Sequence, residues 1–266
     1  MTTIAEFNSY GEELEKILLL RTSPIAVKML KKESDIPKEA IRPKRDRGQH
    51  LAQCQVFALT RRKGETIAML KEDNWCWAPL IGYGLVLPFT EETISPMIYI
   101  VENMKAAQKM LKTFPRFEPG KYIGILTAPL KTASFKPDLV LIYSNTAQLR
   151  SLLMAIKFKE GYIVQSEFDP IDSCVYSVVP AIKSGEYRIT LPDPGEYERA
   201  MAGEDEIILS VPPAKMAELM AGLKFFEGIK MGYRHLTMQM TPDFTQPPFY
   251  VELFKQWGLD TPKQMK

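Results

Sequence analysis

Residues 49–84, QHLAQCQVFALTRRKGETIAMLKEDNWCWAPLIGYG, carry two of the chain's three cysteines, Cys54 and Cys76, and a second stretch follows the same order around the third, Cys174. From Cys54 an apolar segment leads to Lys63-Gly64-Glu65-Thr66-Ile67-Ala68-Met69-Leu70. From Cys174 an apolar segment leads to Lys183-Ser184-Gly185-Glu186-Tyr187-Arg188-Ile189-Thr190-Leu191. Each cysteine is preceded by a proline-led apolar run of strand type, residues 24–30 and 137–143, and residues 95–111 resemble 207–223 in the same sense. This correspondence predicts an internal duplication. It divides the chain into an N-terminal half, 1–118, with Cys54 and Cys76, a C-terminal half, 119–230, with Cys174, and a C-terminal arm, 231–266. A pseudo-twofold axis would make Cys54 and Cys174 equivalent and set Cys76 opposite Tyr197, which leaves three thiols at one centre.

Working outward, hydrophobic periodicity predicts an α/β fold of mixed sheets with packed helices in two similar halves. Residues 2–21 place Phe7, Leu14, Ile17 and Leu18 at helical spacing, and residues 25–30 make the first core strand. Cys54 falls on the buried stripe of a helix over 49–62, which Gly64 ends before a strand at 66–70. Asp73 or Asn74 is expected to cap a helix whose first turn holds Cys76. A helix N-terminus lowers a thiol's pKa, so Cys76 is expected as a thiolate. A nearly continuous apolar strand at 139–143 and a helix over 147–158 capped by Asn145 form the clearest strand-to-helix unit. Further strands are expected at 95–101, 121–126, 161–168, 186–191 and 206–211. Cap chemistry at 169–173 puts Cys174 near a helix start, Pro180 is expected to end that helix, and another helix is expected at 214–223. The proline-broken tail is read as an arm across the body or a partner subunit.

The composition excludes several classes. Hydrophobic residues at 45% and charged residues at 25% suit a globular chain rather than a disordered one. A net charge of +2 offers no footprint for nucleic acid. No apolar run reaches membrane-spanning length, and an odd number of scattered cysteines argues against a disulfide framework, so a cytoplasmic chain with free thiols is expected.

No phosphate loop, nucleophile elbow or paired metal histidines occur. His50 and His235 are the only histidines, and neither a Cys-His-acid triad nor a four-ligand zinc site is picked out. Spacing alone favours the cysteines as small buried hydrophobes. The sharper expectation is that Cys54, Cys76 and Cys174 hold a [4Fe-4S] cluster with one iron open to a small-molecule substrate, for lyase or sulfur-handling chemistry. Lys28, Gln55 and Arg150 are the candidate polar contacts, with Trp75 and Trp77 as walls. Two alternatives stay open: a non-enzymatic module holding haem or another tetrapyrrole, and a structural or interaction protein with inert thiols. Partners are expected to be a small molecule and a second copy of the chain through the arm, with no nucleic acid or membrane.

The order Pro24-Ile25-Ala26-Val27-Lys28, Cys54-Gln55, Cys76 with Gly82, Pro137-Asp138-Leu139-Val140, Asn145-Thr146-Ala147-Gln148, Cys174, Val211-Pro212 and Gly222-Leu223 resembles domain-of-unknown-function family 169 over residues 10–230. The resemblance implies a cysteine-bearing cytoplasmic protein, of a kind found mostly in anaerobic bacteria and archaea, with no settled activity. It also implies a shared role for the three cysteines. Where members carry Gly-Asp-Arg, this chain has Gly195-Glu196-Tyr197-Glu198-Arg199, so any role resting on that trio is in doubt.

Overall fold

In a computed structural model the chain is described at residues 2–90, 93, 100–235 and 248–259. Six strands form one antiparallel sheet: β1 (Ile25–Leu30), β2 (Ile67–Leu70), β3 (Gly124–Pro129), β4 (Leu139–Ser144), β5 (Arg188–Thr190) and β6 (Ile207–Val211). Their order is β2-β3-β1-β4-β6-β5. The helices are α1 (Ile4–Leu18), α2 (Pro43–Arg47), α3 (Gln53–Ala58), α4 (Trp77–Gly82), α5 (Met104–Thr113), α6 (Thr146–Glu160), α7 (Ser173–Tyr176), α8 (Val179–Ser184), α9 (Pro194–Arg199), α10 (Met216–Gly228) and α11 (Pro248–Gln256).

Strand periodicity decides which helix lies where. Side chains alternate across a strand, and in β1 Ala26 and Leu30 join one apolar cluster while Ile25, Val27 and Met29 join another. The first cluster is closed by Phe7, Leu14 and Leu18 of α1, Leu149, Leu152 and Ile156 of α6, and Met216, Leu219 and Leu223 of α10. The second is closed by Val56 and Phe57 of α3, Ala78 and Ile81 of α4, Cys174 and Val175 of α7, and Val179 and Ala181 of α8. A sheet covered on both faces reads as unbroken apolar runs, and all six residues of β4 are buried as residues 139–143 led one to expect.

The α/β expectation holds, in a single sheet rather than several. The central pair is β1 with β4, Ala26 opposite Val140, so strands from before and after residue 118 share one sheet. Exchanging β1 with β4, β2 with β5 and β3 with β6 leaves the strand order unchanged. That symmetry is one of strand order alone, and a duplication of the chain is not established by it.

Local expectations fare unevenly. Residues 161–168 make no ladder and lie along β5, where Ser166 Oγ accepts from the Ile189 amide. Pro180 starts α8 instead of ending a helix, because its missing N–H costs nothing in a first turn. The strand expected at 95–101 lies almost wholly outside the described residues. The tail contains α11, none of whose residues is buried.

Candidate functional site

All three cysteines lie on the α3–α4–α7 side of the sheet, and buried polar residues hold each one there. The Asp73 carboxylate accepts from the amides of Leu70 and Lys44 and from Arg42 Nε at 2.7 Å, which ties α2 to the turn after β2. Arg42 is buried by this contact, although its neighbours from Lys44 to Arg47 are exposed. Asn74 Oδ1 then takes the Cys76 amide at 2.8 Å, and Cys76 becomes the N-cap residue of α4. At the other end of α4, Gly82 packs so closely that an added Cβ would meet Val175 Cγ1 at 2.5 Å. Next to it the fully buried Tyr83 donates its hydroxyl to the Cys174 carbonyl at 2.8 Å.

Acids surround the thiols. Asp172, the N-cap residue of α7, has left-handed backbone (φ 62°, ψ 38°) and makes no side-chain cap. Asp193 does the capping in its place, and its Oδ2 takes the Ser173 amide at 2.9 Å while its Oδ1 takes the Glu196 amide at 2.9 Å. Glu196 is 1% exposed. Tyr143 donates its hydroxyl to Glu196 Oε2 at 3.0 Å, and the Ser173 hydroxyl lies 2.5 Å from Glu196 Oε1 and 3.1 Å from Asp193 Oδ2. Behind Tyr143 the Arg61 guanidinium sits 3.9 Å above the ring and pairs with Glu206 through both nitrogens, at 2.7 and 2.8 Å. Burial pushes Glu206 up, but the hydrogen bond and charge of Arg61 outweigh it and leave the carboxyl below its ordinary value. Glu196 has no such partner. Burial pushes it up to about 7, and Asp193 adds to the rise against the hydrogen bonds of Ser173 and Tyr143. Burial, with Asp193 and Asp169, also lifts Asp172 to about 7.

The thiols meet these acids at one corner. Cys76 packs against the cluster that contains Cys174 and also against the cluster of Ala52, Cys54, Ala58 and Ala200. Cys54 donates its thiol weakly to the Gly195 carbonyl, 3.9 Å away. The three cysteines thus border one corner of the fold, but the iron-sulfur expectation is overturned. Among the described residues, no group of three or more His, Cys, Asp or Glu side chains is placed to hold a metal ion. Burial, with the charges of Asp193 and Glu196, pushes the Cys54 thiol up to about 12, and burial, with Cys76 and Asp193, holds Cys174 well above its ordinary value. The expected thiolate at Cys76 is also corrected. Burial raises it first, Asp172 raises it further, and the single backbone amide of Ala78 is too little to reverse them. The histidines stay apart: His50 is exposed in the loop before α3, and His235 lies beside Glu227 after α10.

The family model for DUF169, described as uncharacterised ArCR, matches residues 13–222. The chain belongs to the DUF169 family. A similar protein is the uncharacterised protein MJ0308 of Methanocaldococcus jannaschii, 22% identical over 231 residues that cover 85% of this chain and 97% of the relative. No solved structure matches.

In this DUF169 chain the other expected site residues part company. Lys28 shares the β1 face of Ala26 and Leu30, opposite the thiols, and Arg150 is exposed on α6 in the layer beyond that face. Gln55 spends its side-chain oxygen on the Ala52 amide at 2.9 Å. Trp75 stands half exposed at the rim, with the Arg199 guanidinium 5.1 Å from its ring, whereas Trp77 turns inward onto Phe114 and Phe89. Sequence reasoning missed Asp172, Asp193, Glu196 and Ser173. The spacing Asp193-x-x-Glu196 is a cap signature that could have marked the pair. Gln53 was missed as well: it is 1% exposed beside Cys54, and among the described residues neither of its amide atoms has a hydrogen-bond partner.

Proposed function

We propose that the corner of α3, α4, α7 and α9 is the functional centre of this protein, and that it performs proton transfer on a small polar molecule. Asp172 is the residue that carries the reading. A non-glycine residue held in left-handed backbone, with a carboxyl whose proton is retained to near neutral pH, is an expensive arrangement for a cap that caps nothing. Asp172 is only half-buried, so it can meet a substrate as general acid or base, with the half-buried Cys76 as its neighbour. Trp75 and Arg199 form the rim. The unpartnered amide of Gln53 supports a polar occupant further in.

The test is a thermal-shift screen of small carboxylic acids, amines and carbonyl compounds against the native chain, Asp172→Asn and Cys76→Ala. A compound that stabilises the native chain is expected to lose its effect in Asp172→Asn. Stabilisation that survives both substitutions, or a carboxyl-carbon titration of Asp172 near the ordinary aspartate value of about 4, removes the proposal. The high thiol pKa values favour a second reading, inert buried thiols, under which Cys76→Ala would leave every ligand effect unchanged.

Two coarser proposals accompany it. The symmetric strand order supports an origin by duplication. The exposed Phe249, Tyr250 and Trp257 of the arm support self-association through α11, which truncation after residue 235 would abolish in sedimentation measurements.

A further inference from the structure

The buried polar contacts behind the thiols contain one oxygen pair too many for their hydrogens. Ser173 Oγ carries a single hydrogen yet lies within hydrogen-bond distance of two carboxyl oxygens, Glu196 Oε1 and Asp193 Oδ2. Tyr143 carries a single hydrogen and spends it on Glu196. Both Asp193 oxygens are already taken as acceptors, Oδ2 by the Ser173 amide and Oδ1 by the Glu196 amide. With both carboxyls ionised, one Ser173 contact would set a lone pair against a negative oxygen in a site closed to water. One further proton resolves the count: Glu196 donates to Ser173 Oγ, and Ser173 donates to Asp193 Oδ2.

These contacts fasten α9 to the body. Glu196 joins it to Tyr143 of β4 and Ser173 of α7, while the Gly195 carbonyl meets the Cys54 thiol and Ala200 packs against Cys54. Beyond α9 the chain is exposed: Met201 is 64% accessible and is held through its carbonyl by Arg62. The groups facing Glu196 are Asp193 at its own N-cap, Ser173, Tyr143, Arg61 after α3, Cys54 on α3 and Tyr83 after α4, with Tyr197 beside it on α9. Arg61 is the only cation among them, and both its terminal nitrogens are engaged by Glu206.

We propose that α9 is a proton-held latch over Cys54: the proton shared along Glu196, Ser173 and Asp193 keeps the helix shut, and its loss frees the helix and bares the thiol. Ionised Glu196 would face ionised Asp193 across one serine hydroxyl, with Arg61 held by Glu206 and Arg199 of α9 placed against Gly195 and Cys54, so the segment between Pro192 and Asp205 gains by swinging into water. Burial and Asp193 set the release near neutral pH. The latch regulates access to a thiol and does not depend on which substrate the corner takes.

The experiment is alkylation by iodoacetamide between pH 6 and 8.5, with the rate at each cysteine read by peptide mass spectrometry. Burial pushes Cys54 up to about 12 and raises Cys76 above its ordinary value in the closed form, so the ratio of their rates cancels the ordinary growth of thiolate with pH. Loss of one proton near pH 7 raises the open fraction, and with it that ratio, about tenfold in the native chain. In Glu196→Gln the amide donates to Ser173 permanently, and only the small drift that Asp172 imposes on Cys76 should remain. A flat ratio in the native chain, or an equal rise in Glu196→Gln, overturns the latch. Tyr143→Phe gives an independent check should the glutamine variant fold poorly. It removes a hydrogen bond that favours the ionised carboxyl, so the midpoint must move to higher pH, and a fixed or lowered midpoint is equally fatal.

Discussion

Replacing Glu196 by glutamine should make the protein more stable at alkaline pH and leave it nearly unchanged in acid. An unfolded glutamate loses its proton near 4.5, whereas in the folded chain Glu196 keeps it to about 7. Between these values the native state binds more protons than the unfolded state, so the native chain loses stability as pH rises from 4.5 to 7 and gains none back above that. Each unit of difference is worth about 1.4 kcal/mol, which sets a ceiling of about 3 kcal/mol on the loss. Release of α9 caps the loss wherever opening the latch costs less than holding the buried charge. Glutamine keeps the shape and both hydrogen bonds but has no proton to lose. Urea denaturation followed by tryptophan fluorescence at pH 5, 6, 7 and 8 measures the difference between the two proteins, and titrations elsewhere in the chain cancel in it. The curves should lie within about 1 kcal/mol of each other at pH 5 and separate by about 1–3 kcal/mol at pH 8, with the glutamine variant above. Parallel curves, or a native chain that gains on the variant with rising pH, would show that Glu196 is ionised throughout and that the proton count is wrong.

Arg61→Met takes the two-pronged partner from the buried Glu206 carboxylate and leaves it only Arg62, 3.6 Å away, and the Gly203 amide; it should cost about 2–4 kcal/mol in denaturant titrations, most of it restored when Glu206→Gln is added. Gly222→Val should cost about 1–3 kcal/mol by thermal melting, because even a Cβ there would meet the Ala155 carbonyl oxygen at 2.4 Å and force α10 off α6. Gly82→Val should loosen α4 from Val175 and quicken alkylation of the buried Cys174, and unchanged labelling would show that this contact does not guard it.

The alternation in residues 25–30, the unbroken apolar run at 139–143 and the stripe of α6 were legible because burial on one or two faces leaves a period in the sequence itself. So was the family resemblance, since the order of its motifs along the chain survives without any knowledge of distance. The sequence also placed Lys28 and Arg150 beside the thiols, and the fold sends them to the other face: alternation says that two residues differ in face, not which face the thiols occupy. Whether three sulfurs meet at a metal or merely share a corner is a matter of ångströms and direction, which spacing does not encode. The protonation of Glu196 is further still from the sequence. It depends on Tyr143, Ser173 and Asp193 closing around one carboxyl from a strand, a helix and a loop, and on Arg61 being held by Glu206 instead. A carboxyl's charge follows from the dielectric and the partners around it, and those exist only once remote parts of the chain have packed together.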